Sequence, residues 1–179
     1  MRKWNIILVI GILILLVVHA VLGSLQMMGG STGPQRFLPW LLLAFVAAHM
    51  VIGTIYTVRT IRIQRKTGAY YFGQNKLFWA RRISGFAIIL FLVFHFFTFG
   101  HTVDGAYRLY LFGEVRLASQ ILLVASIAVH VVTNIRPLFL SMGIRSWKKW
   151  LADAMIVLSA IMLFAGIAFI IYYLRWNVL

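Results

Sequence analysis

The chain has 179 residues, of which 63% are hydrophobic and 11% charged, with 17 Lys and Arg against 3 Asp and Glu and no cysteine. Soluble domains carry roughly 45–50% apolar and 25% charged residues, so a soluble fold is excluded, and without cysteine so are disulfides, zinc-thiolate sites and protein-bound iron-sulfur clusters. A net charge of +14 would suggest nucleic acid in a soluble protein, but the basic residues fall in short segments between apolar runs, which argues against a nucleic-acid partner and for a membrane protein.

Five apolar runs are each long enough to cross a hydrocarbon core about 30 Å thick at about 1.5 Å per helical residue. They cover 5 to 25, 37 to 58, 83 to 102, 117 to 136 and 150 to 173. Met1-Arg2-Lys3 before an apolar stretch has the look of a secretory leader, but the run continues to Leu25 and four more follow. The link from Gln26 to Arg36 is short and rich in Gly and Pro, whereas that from Arg59 to Arg82 is long and basic. With the N-terminus inside, Arg2, Lys3, Arg59, Arg62, Arg65, Lys66, Lys76, Arg81, Arg82, Arg136, Arg145, Lys148 and Lys149 lie inside, 13 of the 17 cations. Only Arg36, Arg108, Arg116 and Arg175 lie outside. This asymmetry predicts an N-in, C-out, all-α integral membrane protein of five helices forming a single transmembrane domain over 1 to 179.

Four of the five histidines, His19, His49, His95 and His130, fall one per span within the first four helices. An ionisable residue at membrane depth is costly and points to function, although a single one also serves as a helix-helix hydrogen-bonding group. Counted from the inner boundaries on ideal helices, His19 lies about 21 Å deep, His95 about 18 Å, His49 about 14 Å and His130 about 9 Å. Two axial ligands of one metal must lie about 4 Å apart, with each metal-imidazole bond about 2 Å, so His19 and His130 cannot share one. The depths predict an outer pair, His19 with His95, and an inner pair, His49 with His130. Two stacked bis-His b haems require that pattern, in a four-helix haem-binding bundle with a fifth helix beside it.

Other residues group around these histidines. Ser84 and Gly85 lie three helical turns before His95 on roughly the same side of the third span. Arg82 and Arg136 flank the inner pair, where they would meet haem propionates or a partner surface. His101, six residues after His95, is read as interfacial. No Asp or Glu lies deep in any span, which disfavours zinc or di-iron sites. The basic 59 to 82 loop serves as a topology determinant against lipid headgroups, as a docking surface for a soluble subunit, or as both.

Arg81-Arg82-Ile83-Ser84-Gly85 followed by His95, and then His130-Val131-Val132-Thr133-Asn134-Ile135-Arg136, resembles the cytochrome b membrane anchors of succinate dehydrogenase and fumarate reductase, in the branch with one five-helix chain and two haems. The resemblance implies His19, His49, His95 and His130 as haem ligands. It also implies a flavoprotein and an iron-sulfur subunit on the cytoplasmic face, a membrane quinone such as menaquinone as substrate, and residence in the cell inner membrane. The chain departs from the family in being short and in having Ser126-Ile127-Ala128-Val129, all uncharged, before His130, so a carboxylate proton path has no counterpart there. The competing readings are the membrane cytochrome b of a formate dehydrogenase or nitrate reductase type complex, and a haem-free transporter relaying protons through histidines.

Overall fold

A computed structural model describes residues 2–30, 37–68, 76–98, 100–103, 106–109, 112–144 and 146–178. Helices α1 (Arg2–Met27), α2 (Leu38–Thr67) and α3 (Lys76–Phe96) are followed by a two-stranded ribbon, β1 (Gly100–Val103) and β2 (Ala106–Leu109). Helices α4 (Glu114–Ser141) and α5 (Trp147–Tyr173) complete the chain, with a π-helical turn over Leu174–Val178. All five α-helices are long and apolar enough to cross a membrane, which makes this a multi-pass membrane protein.

The exposed surface fits that solvent. Large apolar side chains such as Ile14, Val51, Phe86, Leu90, Ile156 and Leu163 point outward along the helices, an arrangement that water would penalise and lipid does not. Hydroxyls within the helices bond back to their own backbone instead: Ser24 to the Ala20 carbonyl at 2.6 Å, Thr57 to Gly53 at 2.7 Å and Thr60 to Tyr56 at 2.8 Å. Without water, that is how a short polar side chain is satisfied.

Two expectations from the sequence need correction. The 59 to 82 segment is mostly helix: α2 continues through Arg59, Arg62, Arg65 and Lys66 to Thr67, and α3 begins at Lys76. Arg, Lys and Gln are good helix formers, and their long stems let a helix leave the hydrocarbon without unwinding. The third span, expected to reach 102, ends at Phe96, and the chain then forms the ribbon. His95 therefore sits in the last turn of α3, and His101 is a strand residue, paired with Arg108 across an antiparallel register that closes at Val103 and Ala106. Aromatic and β-branched residues after His95 favour extended backbone over another helical turn.

The chain divides into two compact units, one of Met1–His19 with Pro34–Trp79 and one of Ala20–Gly33 with Ala80–Leu179. The first holds most of α1 and all of α2, in which an added Cβ on Gly11 would meet the Phe45 ring at 2.6 Å. In the second, α4 packs principally on α5. Its most buried cluster is Met27, Phe112, Ala168, Phe169 and Tyr172, with the Phe112 ring stacked near Phe169 at 6.1 Å and edge-on to Tyr172 at 5.3 Å. The Tyr172 hydroxyl accepts the Leu109 backbone N–H at 2.6 Å and so ties the ribbon to α5. Tyr172→Phe should cost about 1 kcal/mol of stability and speed hydrogen exchange at the Leu109 amide; unchanged exchange there would show that this bond does not hold the ribbon.

Candidate functional site

The site in the second unit is built along the seam between α3 and α4. Four polar contacts join them: Arg81 Nε donates to the Thr133 carbonyl at 2.9 Å, and Ser84 Oγ lies 3.2 Å from His130 Nδ1. His95 Nδ1 lies 2.7 Å from Gln120 Oε1, and Arg116 Nη1 donates to the Phe97 carbonyl at 2.6 Å. Each contact further along α3 meets a residue earlier on α4, so the helices run antiparallel in a single register.

The hydrogen-bond partners bear on the state of both imidazoles. Ser84 Oγ lies 3.2 Å from the Arg81 carbonyl and 3.2 Å from His130 Nδ1. With its one hydroxyl proton given to the carbonyl, its oxygen would accept from a proton on His130 Nδ1. Gln120 donates its amide N–H to Ser119 Oγ at 3.2 Å, which leaves its carbonyl oxygen to accept from His95 Nδ1. A neutral imidazole protonated at Nδ1 carries its lone pair on Nε2, and an anchored Nδ1–H is the usual support of a metal-binding histidine. Gly85 lies beside His130, where a Cβ would sit 3.4 Å from the ring carbon Cε1; a larger side chain would displace the imidazole.

The two imidazoles stand at different heights. Ser84 to His95 is eleven residues of α3 and Gln120 to His130 is ten of α4, or about 15–17 Å along the helices. They cannot bind one metal ion together. In the first unit, Gly11 on α1 faces the Phe45 ring on α2. His19 lies eight residues after that contact and His49 four, about 12 Å and 6 Å along their own helices. Both have a buried Nδ1.

Among the described residues no group of three or more His, Cys, Asp or Glu side chains could hold a metal ion. Near the start of α3 and the end of α4, Arg81 lies within electrostatic reach of both Arg82 and Arg136. Arg82 is half-buried and Arg136 exposed. Three neighbouring guanidiniums make a corner fit for an anionic group.

Of the residues expected from the sequence, Ser84 is joined to His130 rather than to His95, the residue whose face it shares. Two participants were missed, Gln120 and Arg81. Gln120 is fully buried, and the clue to it was an amide side chain inside an apolar span, where a polar group needs a partner. The clue to Arg81 was Pro137. A proline has no N–H to give to the carbonyl four residues before it, and here that carbonyl belongs to Thr133, which Arg81 serves. No family model, curated protein or solved structure matches this chain.

The Arg81–Pro137 relation can be measured. Arg81→Ala should destabilise by about 1–3 kcal/mol because it strips a partner from a buried carbonyl. In a Pro137→Ala background the restored helical N–H should remove about 1 kcal/mol or more of that cost, read as coupling in a double-mutant cycle. Additive effects would refute the relation.

Proposed function

We propose that the chain is a dihaem cytochrome b that anchors a succinate:quinone oxidoreductase, of succinate dehydrogenase or fumarate reductase type, in the cell inner membrane. It carries electrons between a cytoplasmic iron-sulfur subunit and membrane quinone, with the dicarboxylate chemistry on a flavoprotein subunit. His19 with His95 would hold the outer haem and His49 with His130 the inner one. The observation that carries the reading is that His95 and His130 are each anchored through Nδ1, at levels about 15–17 Å apart.

Haem, when bound, would supply a one-electron ferric-ferrous couple suited to electron transfer, held by the four histidines. The chain's own residues would orient those rings: Gln120 and Ser84 engage Nδ1 of His95 and His130, which would leave Nε2 to the haem, and Gly85 keeps a Cβ away from His130. Arg82 and Arg136, with Arg81, would face propionates at the inner end. His19 is matched with His95 because alternating crossings with the N-terminus inside, as the positive-inside count predicts, would carry the late residues of α1 and α3 to the same side. The resemblance around Arg81 to Gly85 and His130 to Arg136 supports the succinate dehydrogenase assignment over other respiratory cytochromes b. A proton relay through histidines would need polar groups continuing the path, and the spans offer few.

Purified protein in detergent should contain about two b haems per chain, read by pyridine haemochrome and a reduced-minus-oxidised spectrum. His49→Ala and His130→Ala should abolish one spectral component, and His19→Ala and His95→Ala the other. Folded, haem-supplied protein without haem would defeat the cytochrome reading; loss of the components in other combinations would defeat the pairing alone. Ser84→Ala and Gln120→Leu should retain the fold but weaken haem retention by about 10–100-fold at the His130 and His95 sites respectively. Equal effects on both components would contradict the separate anchoring of the two rings.

A further inference from the structure

The four cations left on the outer side of the positive-inside count have separate explanations. Arg36 lies outside the described residues. Arg116 caps α3 through the Phe97 carbonyl. Arg108 and Arg175 converge on one side chain: the Arg108 guanidinium carbon lies 2.9 Å from the Trp176 ring centroid and that of Arg175 lies 4.7 Å from it. The two guanidinium carbons are therefore at most the two distances together, about 7.6 Å, apart.

Two like charges are held close, and among the described residues little neutralises them. Arg108 is on β2, fixed to α5 by the Leu109–Tyr172 bond. Arg175 is in the π-helical turn, where it donates to the Met28 carbonyl at 3.4 Å. It passes over Gly29, whose φ of +94° suits glycine and whose added Cβ would lie 2.9 Å from Arg175 Nη1. Each guanidinium has five N–H donors; among the described residues Arg108 uses none in a hydrogen bond and neither arginine makes an ion pair. The described acid of this end, Glu114, lies against the Tyr173 hydroxyl at 3.5 Å.

The depth of this corner identifies what it would meet. Trp176 is the last residue of a 27-residue apolar span that begins at Trp150. Such a helix is about 40 Å long, the thickness of a bilayer with its headgroups, and tryptophans at both ends match an interfacial belt. A span of that length would set Trp176 at the level of the phosphates. We propose that Arg108 and Arg175, held on the Trp176 indole, form a binding site for one phosphate group, of a phospholipid headgroup or a free anion. Paired planar guanidiniums within about 8 Å suit bridging recognition of a phosphate, and the indole supports both cations without neutralising them. The site is independent of His19, His49, His95 and His130 and of any haem.

The test uses the full chain, delipidated in detergent. Phosphatidylglycerol, diacylglycerol with the same acyl chains, and inorganic phosphate are each titrated against tryptophan fluorescence, and native mass spectrometry counts retained lipid. Phosphatidylglycerol should produce a saturable change that diacylglycerol does not and that Trp176→Phe abolishes. Arg108→Gln and Arg175→Gln should each weaken it about tenfold or more, while Arg59→Gln on α2 should leave it unchanged. If inorganic phosphate alone reproduces the change, the ligand is the free anion; if only the lipid does, it is the headgroup. Wild-type titrations in both arginine variants, or an equal response to diacylglycerol, would overturn the site. Arg175→Gln alters only the final turn and keeps the test readable should Arg108→Gln unfold, with thermal melting as the check on both.

Discussion

A polar side chain inside hydrocarbon has no water to turn to, and the seam between α3 and α4 is organised around that constraint. Arg81, Ser84, His95 and the Phe97 carbonyl on one helix meet Thr133, His130, Gln120 and Arg116 on the other. Sliding one helix by a single turn, about 5.4 Å, would break all four contacts together. Individual interhelical bonds in membranes average only about 0.6 kcal/mol, so no one of them determines the fold. Their common register does, and the same register brings Nδ1 of each ring to its partner on the facing helix.

The register also links backbone irregularity to side-chain chemistry. Pro137 leaves the Thr133 carbonyl without its helical donor, and the Arg81 side chain supplies a replacement. The Arg81 carbonyl receives the Ser84 hydroxyl, and that hydroxyl receives the His130 ring. A gap in one helix is in this way connected through two residues of its neighbour to the orientation of an imidazole. Arg81 serves both as a brace and as part of a positive corner with Arg82 and Arg136. Loss of its side chain would therefore disturb packing before charge.

Much of this was legible in the sequence because hydrocarbon imposes a length and a composition that apolar runs display directly. Five spans and one histidine in each of four could be read without any tertiary information. The limits of helices could not, because hydropathy reports where the hydrocarbon ends and not where helical backbone does. Arg59 to Thr67 stays helical beyond the apolar run, whereas Phe97 to Val103 is apolar enough to extend the third span and leaves the helix instead. The Asp104-Gly105 pair between β1 and β2 was a hairpin signal that the hydropathy reading passed over. Contacts between helices were further out of reach: Ser84 shares a face with His95 by periodicity but is bonded to His130, since a side chain at a helix interface takes its partner from the facing helix.

Cation placement follows the same logic of unmet partners. The count read from the sequence assigns most cations to one side, where helix ends would meet water and anionic lipid. The outer arginines act against that bias, so each needs a local reason to be there. Arg116 has one in the carbonyls that end α3. Arg108 and Arg175 have one in Trp176, but a cation against an indole keeps its full charge and most of its donors. Joining β2 and the last turn of the chain through one ring therefore concentrates positive charge at one end of α5. Under the phosphate-site proposal that charge would gain its use from an anion at the membrane surface.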